Sequence, residues 1–126
     1  MSIFTAAELA YLTSQRRLGR LATVGRDGMP HVTPLGWSLA GDDTVVEIGG
    51  HDLASTKKFR DVARSGRAAL VIDDLASVDP WHVRGVEIRG RAEAVSEPGA
   101  LIRLHPQRIV SWGLDGGRSA RDVGAS

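Results

Sequence analysis

Apolar and polar positions alternate along most of this chain, and the alternation has the period of strands more often than that of helices. An opening helix is predicted by Thr5 followed by Glu8 at capping-box spacing, with Leu9, Tyr11 and Leu12 on its apolar side and an end near Ser14 to Arg17. Two β-rich runs follow, Leu18 to Val24 and His31 to Leu39, parted by an Asp27-Gly28 turn signal. A second turn at residues 40–43 leads into Thr44 to Ile48, giving three consecutive antiparallel strands. A short amphipathic helix then takes Ser55 as its N-cap, Phe59, Val62 and Ala63 as its buried stripe, and Gly66 as its stop.

Beyond that helix, Arg67 to Ile72 is apolar along most of its length and reads as a strand covered on both faces, leaving at Asp73-Asp74. Val86 to Ala94 alternates strictly, small or apolar residues against charged ones, and is the clearest strand in the chain. Leu101 to Leu104 and Arg108 to Leu114 read as a last strand pair, with Pro106 marking a bend or a sheet edge. Residues 1–114 form one domain in this reading, and the Gly-, Ser- and Arg-rich segment 115–126 is a mobile tail. Many short strands with two or more short helices predict a mainly β protein built as an antiparallel barrel, closed or partly closed.

Composition narrows the function. With 126 residues, 16 basic against 15 acidic, the chain carries no global field that would hold a nucleic acid or an anionic membrane. It has no cysteine, hence no disulfide, thiolate metal site or cysteine nucleophile, and the expected compartment is the cytoplasm. No apolar run reaches membrane-spanning length, and the start of the chain lacks an export signal pattern. The four histidines, at 31, 51, 82 and 105, lack the spacing of a zinc site. Trp37 is the candidate for stacking on a ring and Trp112 for an interface, although tryptophans more often anchor cores.

The chemistry points to one place. Lys57 and Lys58 are the only lysines in the chain, adjacent, and set in the first turn of the second helix. A helix N-terminus already carries partial positive charge and favours Asp or Glu there. The conflict is resolved if an anion such as phosphate binds the free N–H groups of that turn and draws both ammonium groups toward it. No Gly-x-x-x-x-Gly-Lys frame precedes them, so a P-loop is disfavoured.

Gly19 to Val24 before Asp27-Gly28-Met29-Pro30-His31-Val32, followed by Thr56-Lys57-Lys58 and Arg64 to Ala68, resembles the pyridoxamine 5'-phosphate oxidase-like split-barrel flavoproteins. Gly49-Gly50-His51, Asp79-Pro80-Trp81, Gly85 to Ala92 and His105 to Leu114 are similar to a subgroup of small, F420-dependent enzymes. The resemblance spans about Leu18 to Leu114. It implies an antiparallel split β-barrel of the FMN-binding type, a homodimer with the cofactor ring between subunits, and a small-molecule substrate. It places cofactor phosphate at Thr56, Lys57 and Lys58, with Ser55 beside them, and the ring along Thr33, Pro34, Leu35, Gly36 and Trp37. Relatives usually carry Thr-Arg-Lys, so Lys57 stands in for an arginine and loses its bidentate fork. The activity implied is an oxidoreductase moving a hydride from reduced F420 to a small unsaturated or heteroaromatic acceptor, the cofactor performing the redox step. FMN would satisfy the same lysines, and a non-catalytic flavin, deazaflavin or haem carrier is a reading of a different class.

Overall fold

The structure is a computed structural model that describes residues 3–124. Its elements in order are α1 (Ala6–Ser14), β1 (Gly19–Val24), β2 (Pro30–Leu35), β3 (Ser38–Ala40), β4 (Val45–Ile48), a 3-10 turn (Leu53–Ser55), α2 (Lys57–Ser65), β5 (Arg67–Ser77), β6 (His82–Val95), β7 (Leu101–Trp112) and β8 (Ser119–Asp122). The eight strands join one sheet in the order β2-β1-β5-β6-β7-β4-β3, with β8 also paired to β7. All of these pairings are antiparallel. No helix among the described residues is long and apolar enough to cross a membrane.

One face of the sheet gathers Leu21, Val46, Ile48, Leu70, Ile72, Val86, Ile88, Ile102, Leu104 and Ile109, each at most 1% exposed. Phe59 and Val62 of α2 and Tyr11 and Leu12 of α1 pack onto the same core. Burial of each such side chain stabilises the fold by about 1.5–3 kcal/mol relative to exposure. The strict alternation expected of Val86 to Ala94 holds, with Val86, Ile88 and Ala92 buried and Arg89 and Arg91 exposed.

Several expectations are corrected. The run His31 to Leu39 is not one strand: Gly36 and Trp37 break it, so β2 pairs with β1 at one edge of the sheet while β3 pairs with β4 at the other. The three-strand meander is therefore split across the sheet. β5 does not leave at Asp73-Asp74 but runs on to Ser77, because Asp73 and Asp74 pair with Gly85 and Arg84 of β6. Thr56, not Ser55, caps α2: its hydroxyl accepts from the Phe59 N–H at 3.3 Å. Ala63 is exposed, and Asp61 takes the buried place beside Val62. Gly66 does end the helix, in the left-handed conformation at φ 72°.

The largest local correction lies at Pro106. β7 is a single strand that absorbs Pro106-Gln107 as a bulge: Gly90 pairs with Pro106 and Arg89 with Arg108, leaving Gln107 unmatched. The extra residue reverses the side-chain parity, so Ile102 and Leu104 point to the core before it and Ile109 and Ser111 after it. Pro106 lacks an N–H, yet on that flank β4 ends its pairing at Leu104 and β8 begins at Arg108. The backbone comes so close at the bulge that a Cβ on residue 90 would collide with the His105 carbonyl, which accounts for Gly90.

The segment expected as a tail supplies β8, paired with Arg108 to Ser111 of β7. Arg121 of that strand donates to both carboxylate oxygens of Glu8, at 2.7 and 3.0 Å, and to the Ile3 carbonyl at 2.7 Å. Residues 125 and 126 of the expected tail lie outside the described residues.

Candidate functional site

β1 and β2 form a hairpin whose turn is closed by hydrogen bonds from Gly25 N–H to the Met29 carbonyl and from Gly28 N–H to the Gly25 carbonyl, both 2.9 Å. Gly28 adopts φ 85°, a conformation that side chains resist. This hairpin lies against the start of α2. Between them is a groove of about 200 Å³ lined by Leu21, Thr23, His31, Val32, Thr33, Thr56, Lys57 and Lys58. Of the residues expected to bind cofactor, Thr33, Thr56, Lys57 and Lys58 are thus brought together.

The others are not. Ser55 lies in the exposed 3-10 turn, its hydroxyl donating to the Asp52 carbonyl at 2.8 Å. Pro34 pairs with Arg20 at the exposed sheet edge, and Leu35 packs partly on the core. Gly36 and Trp37 line a second cavity, of about 570 Å³, with Leu12, Thr13, Arg16, Arg17 and Leu39 among its walls. Trp37 is fixed there by its indole N–H, which donates to the Arg17 carbonyl at 2.8 Å.

Within the groove the two lysines differ. Lys57 Nζ lies 3.1 and 3.4 Å from the two carboxylate oxygens of Asp61, one helical turn further on. Lys58 makes no hydrogen bond or ion pair with another described residue, and it is half-buried at the groove wall. Asp61 also accepts from the Thr23 hydroxyl at 3.0 Å. Burial alone would raise its carboxyl; the hydrogen bonds from Lys57 and Thr23 outweigh that and hold it below the usual carboxylate range. The clash between two ammonium groups and the positive helix end is therefore relieved in part from within the chain. Sequence reasoning missed Asp61, Thr23 and His31. The spacing of Lys57 and Asp61, four residues apart on one helix, was the available signal for the first.

Other polar residues act away from the groove. His51 is exposed and pairs with Asp52 at 3.3 Å. Arg84 donates to Asp74, and its guanidinium lies over the Tyr11 ring at 5.1 Å from the centroid.

Comparison with known proteins decides the family. Residues 5–123 match the family model described as pyridoxamine 5'-phosphate oxidase. The chain belongs to the pyridoxamine 5'-phosphate oxidase family. Its fold is that family's antiparallel split β-barrel with two helices. Among curated members, a 5a,11a-dehydrotetracycline/5a,11a-dehydrooxytetracycline reductase of Streptomyces rimosus is 42% identical, over 97% of this chain and 94% of that protein. Among solved structures, a conserved hypothetical protein of Mycobacterium tuberculosis superposes with a TM-score of 0.72 at 23% identity, covering 99% of this chain and 95% of that one. A structure described as an F420 reductase superposes at 0.60 with 19% identity, over 79% of this chain and 94% of that one. As a pyridoxamine 5'-phosphate oxidase family member with a reductase relative along nearly its whole length, the chain is an oxidoreductase.

Proposed function

We propose that this oxidoreductase uses reduced coenzyme F420 to reduce a conjugated double bond in a small organic acceptor. The observation that carries the reading is the groove at the start of α2, where Lys58, Thr33 and the free N–H groups of the helix turn present hydrogen-bond donors and positive charge to one small volume, Thr56 serving as the cap whose hydroxyl donates to the Leu53 carbonyl at 2.6 Å. That donor set fits a phosphate group, with Lys58 and Thr33 as its side-chain contacts and Lys57 adding positive charge. When bound, the cofactor would supply the hydride.

The chain's own contribution is placement and shelter. β2 leads from the phosphate groove at Thr33 toward the second cavity at Gly36 and Trp37, so the strand bridges the two spaces. The Trp37 face, Leu12 and Leu39 offer an apolar wall for a flat acceptor, and Arg16 and Arg17 lie at the same cavity. A related reductase acts on a dehydrotetracycline, which accords with an unsaturated, oxygen-rich acceptor for this chain too.

The site is completed by a second copy of the chain in this reading, as a homodimer. Val32, Trp81, Met29 and Leu18 are large apolar side chains 57–70% exposed, and β2 leaves one sheet edge unpaired. Sedimentation is expected to give twice the chain mass.

Parallel titration of purified protein with F420 and with FMN tests the cofactor. Protein from a host lacking F420 is expected to be colourless and to bind added F420 in preference to FMN. Retention of stoichiometric yellow FMN through purification would sink the F420 reading in favour of an FMN-dependent enzyme on the same scaffold. A carrier would be indicated if bound reduced cofactor were oxidised no faster with any of a broad panel of acceptors.

A further inference from the structure

Asp61 is 4% exposed, and Thr23, which donates to it from β1, is 2% exposed. Besides Lys57, the only other cation paired with this carboxylate among the described residues is Arg64, at 3.6 Å. The Lys57 ammonium is also packed at the β1–β2 turn: a Cβ placed on Gly25 would lie 3.1 Å from it. Lys57 is therefore held by a buried acceptor and by the turn. Drawing it toward a ligand would strip a buried carboxylate of its nearest cation, which is strongly unfavourable. Lys58 pays no such penalty, since no described residue pairs with it. Taken together, the two lysines and Asp61 carry a single net positive charge.

Resting on the cofactor reading above, we propose that Asp61, fixed by Thr23, holds Lys57 as its internal counter-ion. Lys58 alone then meets the ligand, and the groove prefers a singly charged phosphodiester to a doubly charged phosphomonoester. The reason is charge matching. A phosphomonoester carries about −1.5 to −2 at neutral pH, so its second charge would find no second free ammonium and would face the Asp61 carboxylate across Lys57. A phosphodiester carries one charge and is matched by Lys58. Asp61 is thus a positioning residue that sets cofactor choice, F420 being a phosphodiester and FMN a phosphomonoester.

The test is a set of binding titrations with F420 and FMN on the wild type, Lys58→Gln, Asp61→Asn and the double variant Lys57→Met, Asp61→Asn. Lys58→Gln is expected to weaken both ligands by about tenfold or more, and the double variant, which removes Lys57 together with its counter-ion and leaves the net charge unchanged, by less than about threefold. Asp61→Asn, which keeps an acceptor for Thr23, releases Lys57 and is expected to tighten FMN about tenfold while F420 changes less than about threefold. The double variant removes the buried pair together, so it reports even if Asp61→Asn folds poorly. It is expected to keep wild-type preference between the two ligands. A purely structural role for Asp61 would weaken both ligands in step and leave their ratio unmoved; that result overturns the proposal, as does a loss in the double variant equal to that in Lys58→Gln. Wild type that binds neither ligand overturns the cofactor reading and this proposal with it, whereas binding with equal losses in the double variant and Lys58→Gln overturns this proposal alone.

Discussion

Glu8→Ala is expected to lower the free energy of unfolding by about 3–5 kcal/mol, the scale for removing one partner of a buried, hydrogen-bonded ion pair. Glu8 is fully buried, and its carboxylate is the shared acceptor for three elements. The Thr5 N–H donates to it at 2.9 Å in the capping box, the Ser111 hydroxyl at 2.6 Å from β7, and Arg121 from β8. Removal leaves the Arg121 guanidinium in a partly buried site with only Ile3 and Ser119 as acceptors. Urea unfolding at neutral pH measures the loss, and a change below about 1 kcal/mol would show that the network relaxes onto water. Glu8→Gln retains an acceptor for Thr5 and should fall between. Burial raises the Glu8 carboxyl, but hydrogen bonds from Arg121 and Ser111 bring it below the ordinary range. A depressed folded value means that this stabilisation is present above the unfolded value and is lost as pH falls through the folded one. The gap between wild type and Glu8→Ala should therefore narrow in acid.

Glu8 also shows what sequence patterning can and cannot reveal. Capping-box spacing identified Thr5 and Glu8 correctly, because that motif is local and needs only four residues. The same spacing gave no hint that Glu8 would be wholly buried, since its other partners lie more than a hundred positions away, at Ser111 and Arg121. For the same reason the segment around Arg121 read as a tail. Its Gly- and Arg-rich composition is that of a mobile end, and only distant partners, the β7 strand and the Glu8 carboxylate on α1, explain why it is held. β6 was legible from Val86 to Ala94, where one face meets the core and the other does not, but its start at His82 was not. β7 was not, because the bulge at Pro106-Gln107 reverses parity within one strand and imitates two.

The candidate site was legible in half. Two adjacent lysines at a helix start drew attention through local electrostatics, and in the structure Thr33 and the lysines line one groove beside β2. The difference between the lysines was hidden, because it depends on which face of α2 is buried. Ala63 was read as part of the buried stripe; the helix is rotated so that Ala63 is exposed and Asp61 faces Thr23 instead. The strand expected to hold the ring was read as one continuous surface, whereas the break at Gly36 and Trp37 sends its two ends to different cavities.

Asp74→Ala is expected to cost about 2–3 kcal/mol, less than Glu8→Ala because the Asp74 side chain is 27% exposed. Asp74 accepts from the Tyr11 hydroxyl at 2.9 Å, from Arg17 Nε at 3.1 Å, and from Arg84 at 2.8 and 3.2 Å. The hydrogen bond from Arg84 comes first, against the opposing effect of burial, and with Tyr11 and Arg17 it holds the carboxyl far below its ordinary range. This stabilisation is complete above the unfolded value, about 3.9 for Asp, and is lost as pH falls through the folded value. Wild type and variant should therefore converge in acid unfolding experiments below about pH 4. The effect should also reach the proposed acceptor cavity. Arg17, whose guanidinium stacks 3.9 Å from the Tyr11 ring centroid and binds Asp74, offers its carbonyl to the Trp37 indole. Loss of Asp74 leaves the Arg17 guanidinium only the Tyr11 carbonyl and Ser14 hydroxyl as acceptors and loosens Trp37 with it, so the variant's tryptophan emission should shift to the red at neutral pH while the protein is still folded. An unshifted spectrum in a folded variant would show that Trp37 is held by the core alone, and would remove Asp74 from any role in shaping that cavity.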